Sequence, residues 1–172
     1  MSASPSCPES SPAPARKESV RHELVGLIGL GLMGSAMAER FLARRFEVLG
    51  FDIDAACLTA FASRGGRAAT GVTELATSCR RIILSLPNSE VVQTVLDQLE
   101  PHLRPGQVIM DTTTGCPEFA VTAGRRLAGH QVAYVEGTIS GNSSQVRRGE
   151  VLVMASGTVE GIAQCDDLFA RV

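Results

Sequence analysis

The sequence predicts an α/β protein: a doubly wound, mostly parallel sheet with helices on both of its faces. From residue 23 onward, short apolar runs alternate with segments of helical periodicity, which is the pattern of successive strand–helix units. The chain has 172 residues, 44% of them hydrophobic, so it is long enough to bury one core of ordinary domain size.

Each element is predicted from a local pattern. The apolar run 24–28 predicts a buried strand, and Met33, Met37 and Phe41 recur at four-residue spacing, which predicts an amphipathic helix after it. Further strands are predicted over 46–51, 67–69, 81–86, 107–111, 131–135 and 151–155. Further helices are predicted over 55–63 (N-cap Asp54), 73–78, 89–99 (N-cap Asn88), 117–127 (opened by Pro117) and 158–172, the last as one helix.

Residues 1–22 are predicted to form a disordered tail. Residues 1–19 hold six Ser and four Pro, and such a stretch buries too little apolar surface to offset the entropy of ordering it. The uncharged run 24–38 imitates a secretory signal, but it holds four glycines and continues into an amphipathic helix and a strand. We therefore expect neither a signal peptide nor a membrane span.

Charge and cysteine usage exclude several classes of function. The formal net charge is −2, from 16 Lys+Arg against 18 Asp+Glu, which argues against a nucleic-acid-binding protein. The five cysteines are odd in number and include no CxxC pair, which argues against a disulfide framework or a zinc site. We expect reduced thiols, no bound metal and a cytoplasmic location.

A glycine motif stands where the first predicted strand meets the first predicted helix. Residues 29–34 read GLGLMG, a GxGxxG that by itself is a weak signal. In this context Gly29 permits the tight turn, Gly31 lets a pyrophosphate approach the backbone, and Gly34 lets helix and strand pack closely. Asp52 ends the second strand, where a carboxylate hydrogen-bonds the ribose hydroxyls of NAD and repels a 2′-phosphate. The pattern predicts a dinucleotide-binding domain over residues 23–172.

Two alternatives stay open at this point. A Gly-rich turn in another doubly wound protein, with Asp52 and Asp54 merely capping a helix, gives the same pattern. NADP in place of NAD is the second, since Arg64 and Arg67 follow the strand, although neither occupies the strand-end position. We favour NAD.

The sequence resembles the 3-hydroxyisobutyrate dehydrogenase-like family of β-hydroxyacid dehydrogenases, over essentially that family's cofactor domain. Four stretches in this order carry the resemblance: GLGLMGSAMAERFL, ILSLPNSEVV, DTTTGCPE and EGTISGNSSQVRRGEVLVMASG. The resemblance implies a Rossmann-type fold and cofactor contacts at Gly29, Gly31, Leu32, Met33, Gly34, Asp52, Leu86, Pro87, Val91 and Thr114. It implies a loop that receives the substrate carboxylate at Ser140, Gly141 and Asn142.

Within that resemblance, Leu86 and Pro87 lie over the adenosine ribose and near the phosphates, and Thr114 lies at the nicotinamide end. Asn142 departs from the family, which has a second glycine there, so we expect the substrate to differ, toward a more polar or hydroxylated acid.

The family's catalytic lysine lies on a long helix in a C-terminal helical domain, and this chain holds no counterpart to it. Lys17, in the predicted tail, is the only lysine. We expect the chain to be the cofactor half of a longer enzyme, with no catalytic residue of its own. His22, His102 and His130 are interpreted as solvated side chains rather than substitute bases. Cys116 is the one thiol we consider as reactive, with packing as the alternative.

The function predicted for the whole protein is hydride transfer between a nicotinamide cofactor and a small 3-hydroxy acid or semialdehyde. Its expected partner is a small carboxylate substrate, with neither nucleic acid nor membrane, and the full-length form is expected to be a homo-oligomer. The alternative is a stand-alone, non-catalytic dinucleotide-binding or interaction module.

Overall fold

The computed structural model describes residues 23–172. Within them the chain forms seven strands: β1 Leu24–Ile28, β2 Glu47–Phe51, β3 Arg67–Ala68, β4 Arg81–Leu84, β5 Val108–Asp111, β6 Ala133–Ser140 and β7 Leu152–Ser156. It also forms eight α-helices: α1 Leu32–Ala43, α2 Ala55–Ser63, α3 Val72–Ser78, α4 Ser89–Leu99, α5 Pro117–Ala128, α6 Ser143–Arg148, α7 Val159–Ala163 and α8 Asp166–Phe169. A single 3-10 turn, Glu100–His102, follows α4.

The strands form one sheet in the order β3-β2-β1-β4-β5-β6-β7. All neighbouring pairs are parallel except β6 and β7, which run antiparallel. The predicted doubly wound, mostly parallel sheet is therefore confirmed. The strand order reverses between β1 and β4, and in open α/β sheets ligands bind outside the carboxyl ends of the strands at such a point.

Helices cover both faces of the sheet because the central strands are apolar on both sides. Ile82 and Leu84 point to one face, where they join the same buried cluster as Leu96 of α4. Ile83, between them, points to the other face and joins Phe41 of α1. All five side chains are at most 1% exposed. This two-sided burial is what a parallel sheet requires.

Several local predictions are confirmed. Asp54 caps α2 by accepting a hydrogen bond from the Ala56 N–H at 2.8 Å. Asn88 caps α4 by accepting from the Val91 N–H at 2.9 Å. Pro117 stands in the first turn of α5, where its missing N–H costs nothing.

The C-terminal third differs from the prediction in three places. β6 reaches Ser140, whereas the strand was predicted to end at 135, because its second half pairs with β7. No element was predicted between 141 and 150, where the structure contains helix α6. The predicted helix 158–172 is wrong as a single element: it breaks around Cys165 into α7 and α8. The break lets the guanidinium of Arg81 bind both the Gln164 carbonyl and the Asp167 carboxylate.

The predicted tail, residues 1–22 with His22, lies outside the described residues. No helix in the described range 23–172 is long and apolar enough to cross a membrane. The same range contains no group of His, Cys, Asp or Glu side chains arranged to hold a metal ion. Its four cysteines, at 57, 79, 116 and 165, are free thiols.

Candidate functional site

A cleft of about 620 Å³ opens where the carboxyl ends of the central strands meet the N-terminus of α1. Its lining includes nine of the ten predicted cofactor contacts, namely Gly29, Gly31, Leu32, Met33, Asp52, Leu86, Pro87, Val91 and Thr114. Gly141, from the predicted substrate loop, also lines it. The fold thus brings together residues that are more than 100 positions apart in the chain.

The three glycines of the GxGxxG motif have different structural reasons to lack a side chain. Gly29 adopts φ +91°, and a Cβ there would stand 2.1 Å from the Ser85 carbonyl oxygen. A Cβ on Gly34 would stand 1.9 Å from the Gly29 carbonyl oxygen, so this glycine lets α1 pack onto the turn. A Cβ on Gly31 would meet nothing within 4 Å. Only the glycine at 31 therefore keeps space open rather than avoiding a clash.

The open space at Gly31 lies at the N-terminus of α1. Gly31 is the N-cap residue, and no side chain caps this end of the helix. The first-turn N–H groups, among them those of Leu32 and Met33, lack carbonyl partners within the helix. Unpaired N–H groups and the positive end of the helix dipole together favour a bound anion.

Asp52 follows β2 directly and is held in place by two backbone groups. One carboxylate oxygen accepts a hydrogen bond from the Leu30 N–H at 2.6 Å, and the other accepts from the Asp54 N–H at 2.8 Å. The first bond joins the end of β2 to the glycine turn, so the carboxylate faces the cleft beside that turn.

The two arginines considered as phosphate ligands do not line this cleft. Arg64 pairs with Glu39 at 3.1 Å, and Arg67 pairs with Glu74 at 2.9 Å. Both guanidinium groups have acidic partners outside the cleft, and Asp52 is the acidic side chain that faces the cleft.

Two loops form the wall of the cleft opposite α1. The loop after β4 contributes Leu86 and Pro87, and the loop after β5 contributes Thr112, Thr113 and Thr114. The loops are joined directly, since the Leu86 N–H donates to the Thr113 hydroxyl at 3.1 Å. The Thr112 hydroxyl donates to the Leu84 carbonyl at 2.7 Å and secures the start of the second loop to β4.

A buried carboxylate lies beneath the second loop. Asp111, 5% exposed, accepts hydrogen bonds from the Tyr134 hydroxyl at 2.5 Å and from the Thr113 N–H at 2.9 Å. Burial raises the pKa of Asp111 despite these hydrogen bonds, and burial beside the Asp111 charge raises the pKa of Tyr134. Glu136, the register partner of Asp111, also has a raised pKa, from burial and then from the Asp111 charge.

The predicted substrate residues are only partly placed at the cleft. Gly141 lines it, whereas Ser140 ends β6 and Asn142 is the N-cap residue of α6, both exposed and outside the lining. The Asn142 side chain accepts from the Gln145 N–H at 3.0 Å, and the Gln145 side chain accepts from the Asn142 N–H at 2.9 Å. This reciprocal capping box fixes the start of α6.

Several residues that line the cleft were not predicted from the sequence. Ile53, which is 96% exposed, extends the lining beyond Asp52, and Val95 lies one helical turn after Val91. The i, i+4 spacing of Val91 and Val95 was a usable signal for the second of these. Ser85 also lines the cleft, and nothing local in the sequence distinguishes it from a residue that ends a strand.

The other chemically active side chains lie elsewhere. Cys116 is exposed and donates to the Glu118 carboxylate at 2.8 Å, outside the cleft lining. His102 is exposed beyond α4, and His130 is half exposed with its Nε2 3.0 Å from Glu100. These positions agree with the interpretation of His102 and His130 as solvated side chains.

Residues 24–172 match the family model described as the NAD binding domain of 6-phosphogluconate dehydrogenase. An L-threonate dehydrogenase of Cupriavidus necator is 29% identical over 151 residues, covering 86% of this chain and 51% of that protein. An NAD(+)-dependent, decarboxylating 6-phosphogluconate dehydrogenase of Haloferax volcanii is 32% identical over 133 residues, covering 76% of this chain and 44% of that protein.

Among solved structures, Mycobacterium tuberculosis 3-hydroxyisobutyrate dehydrogenase with L-serine superimposes with a TM-score of 0.83. At 19% identity this similarity shows the fold, over 87% of this chain and 51% of that one. The chain spans about half the length of the relatives that it matches.

Proposed function

Because this chain belongs to the family of the NAD-binding domain of 6-phosphogluconate dehydrogenase, we propose that it is the cofactor half of an NAD-dependent oxidoreductase acting on a small 3-hydroxy acid or semialdehyde. The observation that carries the proposal is the open space beyond Gly31, at the uncapped N-terminus of α1 and beside the Asp52 carboxylate. This is the arrangement that a pyrophosphate followed by an adenosine ribose requires.

The residues of the cleft fit NAD from one end to the other. The α1 N–H groups next to Gly31 would bind the pyrophosphate, and Asp52 would accept hydrogen bonds from the ribose hydroxyls. Leu86 and Pro87 would pack over the adenosine side, and Thr114 would contact the nicotinamide end. When bound, NAD supplies the carbon that accepts or returns a hydride; this chain binds, orients and shields that carbon.

For the substrate, we propose a carboxylate held at Ser140, Gly141 and Asn142. Gly141 lines the same cleft as Thr114, which supports a substrate position next to the nicotinamide end. The Cupriavidus necator relative is named for a hydroxy acid, L-threonate, which supports the substrate class. The polar Asn142 favours a hydroxylated acid over a purely aliphatic one.

We propose that this chain alone binds NAD without turnover. Residues 23–172 contain no lysine, and His102 and His130 lie outside the cleft, so the described part of the chain offers no evident general base for a substrate hydroxyl. The proton-transferring group would come from the other half of the whole protein. We further propose that the whole protein acts as a homo-oligomer in the cytoplasm.

The experiment is a titration of the chain with NADH and with NADPH, followed by nicotinamide fluorescence, for the wild type and for Asp52→Asn. Asp166→Asn is the matched control, since Asp166 is exposed and outside the cleft. We expect tighter binding of NADH than of NADPH, and about tenfold weaker NADH binding in Asp52→Asn, the loss of one charge-assisted hydrogen bond.

The outcomes separate the parts of the proposal. Preference for NADPH would overturn the choice of cofactor. Failure of a folded chain to bind either dinucleotide would overturn the assigned function. An equal loss in Asp52→Asn and Asp166→Asn would show that Asp52 has no specific contact with the ribose.

A further inference from the structure

A chain of buried hydrogen bonds crosses the sheet below the cleft. The Tyr134 hydroxyl of β6 donates to Asp111 of β5 at 2.5 Å, and Asp111 accepts the Thr113 N–H at 2.9 Å. The Thr113 hydroxyl in turn accepts the Leu86 N–H at 3.1 Å. Tyr134, Asp111 and Thr113 are all less than 9% exposed. The chain therefore connects β6, through β5, to the loop after β4.

Beyond β4 the sheet no longer supplies hydrogen bonds to the loop, and this chain supplies one. The last sheet-type hydrogen bond at this end of β4 joins the Ser85 N–H to the Ile28 carbonyl at 2.9 Å. One residue later, the acceptor for the Leu86 N–H within residues 23–172 is the Thr113 hydroxyl. The Leu86 side chain packs against the buried cluster that contains Leu84 and Val92, and its backbone N–H is held by one side chain from the neighbouring loop.

Thr113 is held in turn by the buried carboxylate. One oxygen of Asp111 accepts the Thr113 N–H, and the other accepts the Tyr134 hydroxyl. Tyr134 does not line the cleft; it borders a separate surface depression lined by residues of α5 and of the turn between β7 and α7. A side chain without contact to the cleft thus helps to orient the carboxylate beneath both cofactor-facing loops.

We propose that Tyr134, Asp111 and Thr113 form a positioning network that holds the loops after β4 and β5 in the NAD-binding arrangement. This proposal rests on the proposed function, since it assigns the network's effect to the NAD site. None of the three residues transfers a proton or a hydride in this role. They raise the fraction of molecules in which Leu86, Pro87 and Thr114 occupy the positions that bind the cofactor. The apparent affinity for NAD scales with that fraction.

The experiment compares Tyr134→Phe, Thr113→Val and Thr113→Ser with the wild type. Thr94→Val is the control, because its hydroxyl bonds a backbone carbonyl on exposed α4 surface, outside the cleft. The readouts are the Kd for NADH, the fluorescence anisotropy of the bound nicotinamide at saturation, and urea unfolding to verify that each variant is folded.

We expect NADH to bind about tenfold more weakly to Thr113→Val and about fivefold more weakly to Tyr134→Phe, as fewer chains hold the competent arrangement. The anisotropy of bound NADH falls in both variants because the loops restrain the nicotinamide less. Thr113→Ser keeps the hydroxyl, so we expect its Kd for NADH to lie within about twofold of the wild-type value. The same is expected of Thr94→Val.

Tyr134→Phe is the decisive variant because Tyr134 does not touch the cleft. Wild-type affinity and anisotropy in folded Tyr134→Phe would overturn the network's role while leaving NAD binding intact. Equal losses in Thr113→Ser and Thr113→Val would also overturn it, since the hydroxyl would then not be the relevant group. Absence of NADH binding by the wild type would overturn the proposed function itself.

Discussion

Substituting Gly31 by Ala separates cofactor binding from folding. Gly31 has φ −65° and ψ −158°, an extended conformation that alanine adopts without strain. Its added methyl group would meet no protein atom within 4 Å, so it enters only the space at the N-terminus of α1. If that space receives the pyrophosphate, the methyl group stands between the phosphate and the helix N–H groups.

The expected magnitudes follow from this geometry. For folding, alanine is a poorer N-cap than glycine but also restricts the unfolded chain, and these opposed effects leave a net change within about 1 kcal/mol. For binding, each lost charge-assisted hydrogen bond to phosphate costs about 1.5–3 kcal/mol, so NADH affinity falls roughly 10- to 100-fold for one lost bond.

The assay measures NADH affinity by fluorescence titration and the free energy of unfolding in urea for the same samples. Gly71→Ala is the matched control: Gly71 is also an extended N-cap glycine with open space at its Cβ, but it begins α3, outside the cleft. Gly34→Ala is the contrast, because its methyl group would overlap the Gly29 backbone and cost about 1–3 kcal/mol of stability.

A Gly31→Ala variant that binds NADH as tightly as Gly71→Ala would refute the reasoning, because the open space would then have no part in binding. A Gly31→Ala variant that is destabilised as much as Gly34→Ala would refute it differently, by showing that the space at position 31 is needed for packing.

Two further predictions concern stability. Arg81→Met removes the buried guanidinium that pairs with Glu23 and Asp167. Because both acids are about half exposed, we expect the free energy of unfolding, measured in urea, to fall by about 2 kcal/mol. Hydrogen exchange in α8 should also become faster. Glu100→Gln removes a carboxylate whose pKa the Arg126 guanidinium lowers, so the wild type is the more stable at neutral pH. The difference declines as the pH falls below about 4.5 and is lost as the pH passes below the lowered pKa of Glu100; equal differences at pH 7 and pH 3 in urea unfolding would contradict this.

The parts of the fold that were predicted correctly are those that local patterns determine. Four consecutive buried residues make up β4, and α4 buries Val92, Leu96 and Leu99 at helical spacing, so both elements are evident from hydrophobicity alone. Asn88 and Asp54 cap their helices through groups two or three residues away. In each case the determining contacts lie within a few positions of the residue in the sequence.

The wrong predictions fall where distant contacts decide the structure. The second half of β6 is a strand because Thr138 pairs with Met154 of β7, a contact that the polar sequence of 136–140 does not indicate. At the break between α7 and α8, the Gln164 carbonyl accepts a hydrogen bond from Arg81, which lies more than 80 positions earlier in the chain. A local pattern carries no information about either partner.

At the site, sequence reasoning identified residues but not how each is engaged, and Asn142 shows why this matters. Its side-chain oxygen accepts the Gln145 N–H in the capping box, and the amide nitrogen is the donor that this side chain can offer a ligand. An amide nitrogen only donates hydrogen bonds. The capping bond occupies one of the two lone pairs of the side-chain oxygen and fixes the orientation of the amide. If the substrate carboxylate binds beside Gly141, Asn142 meets it as a donor, and this favours an anion at the position where the family has glycine.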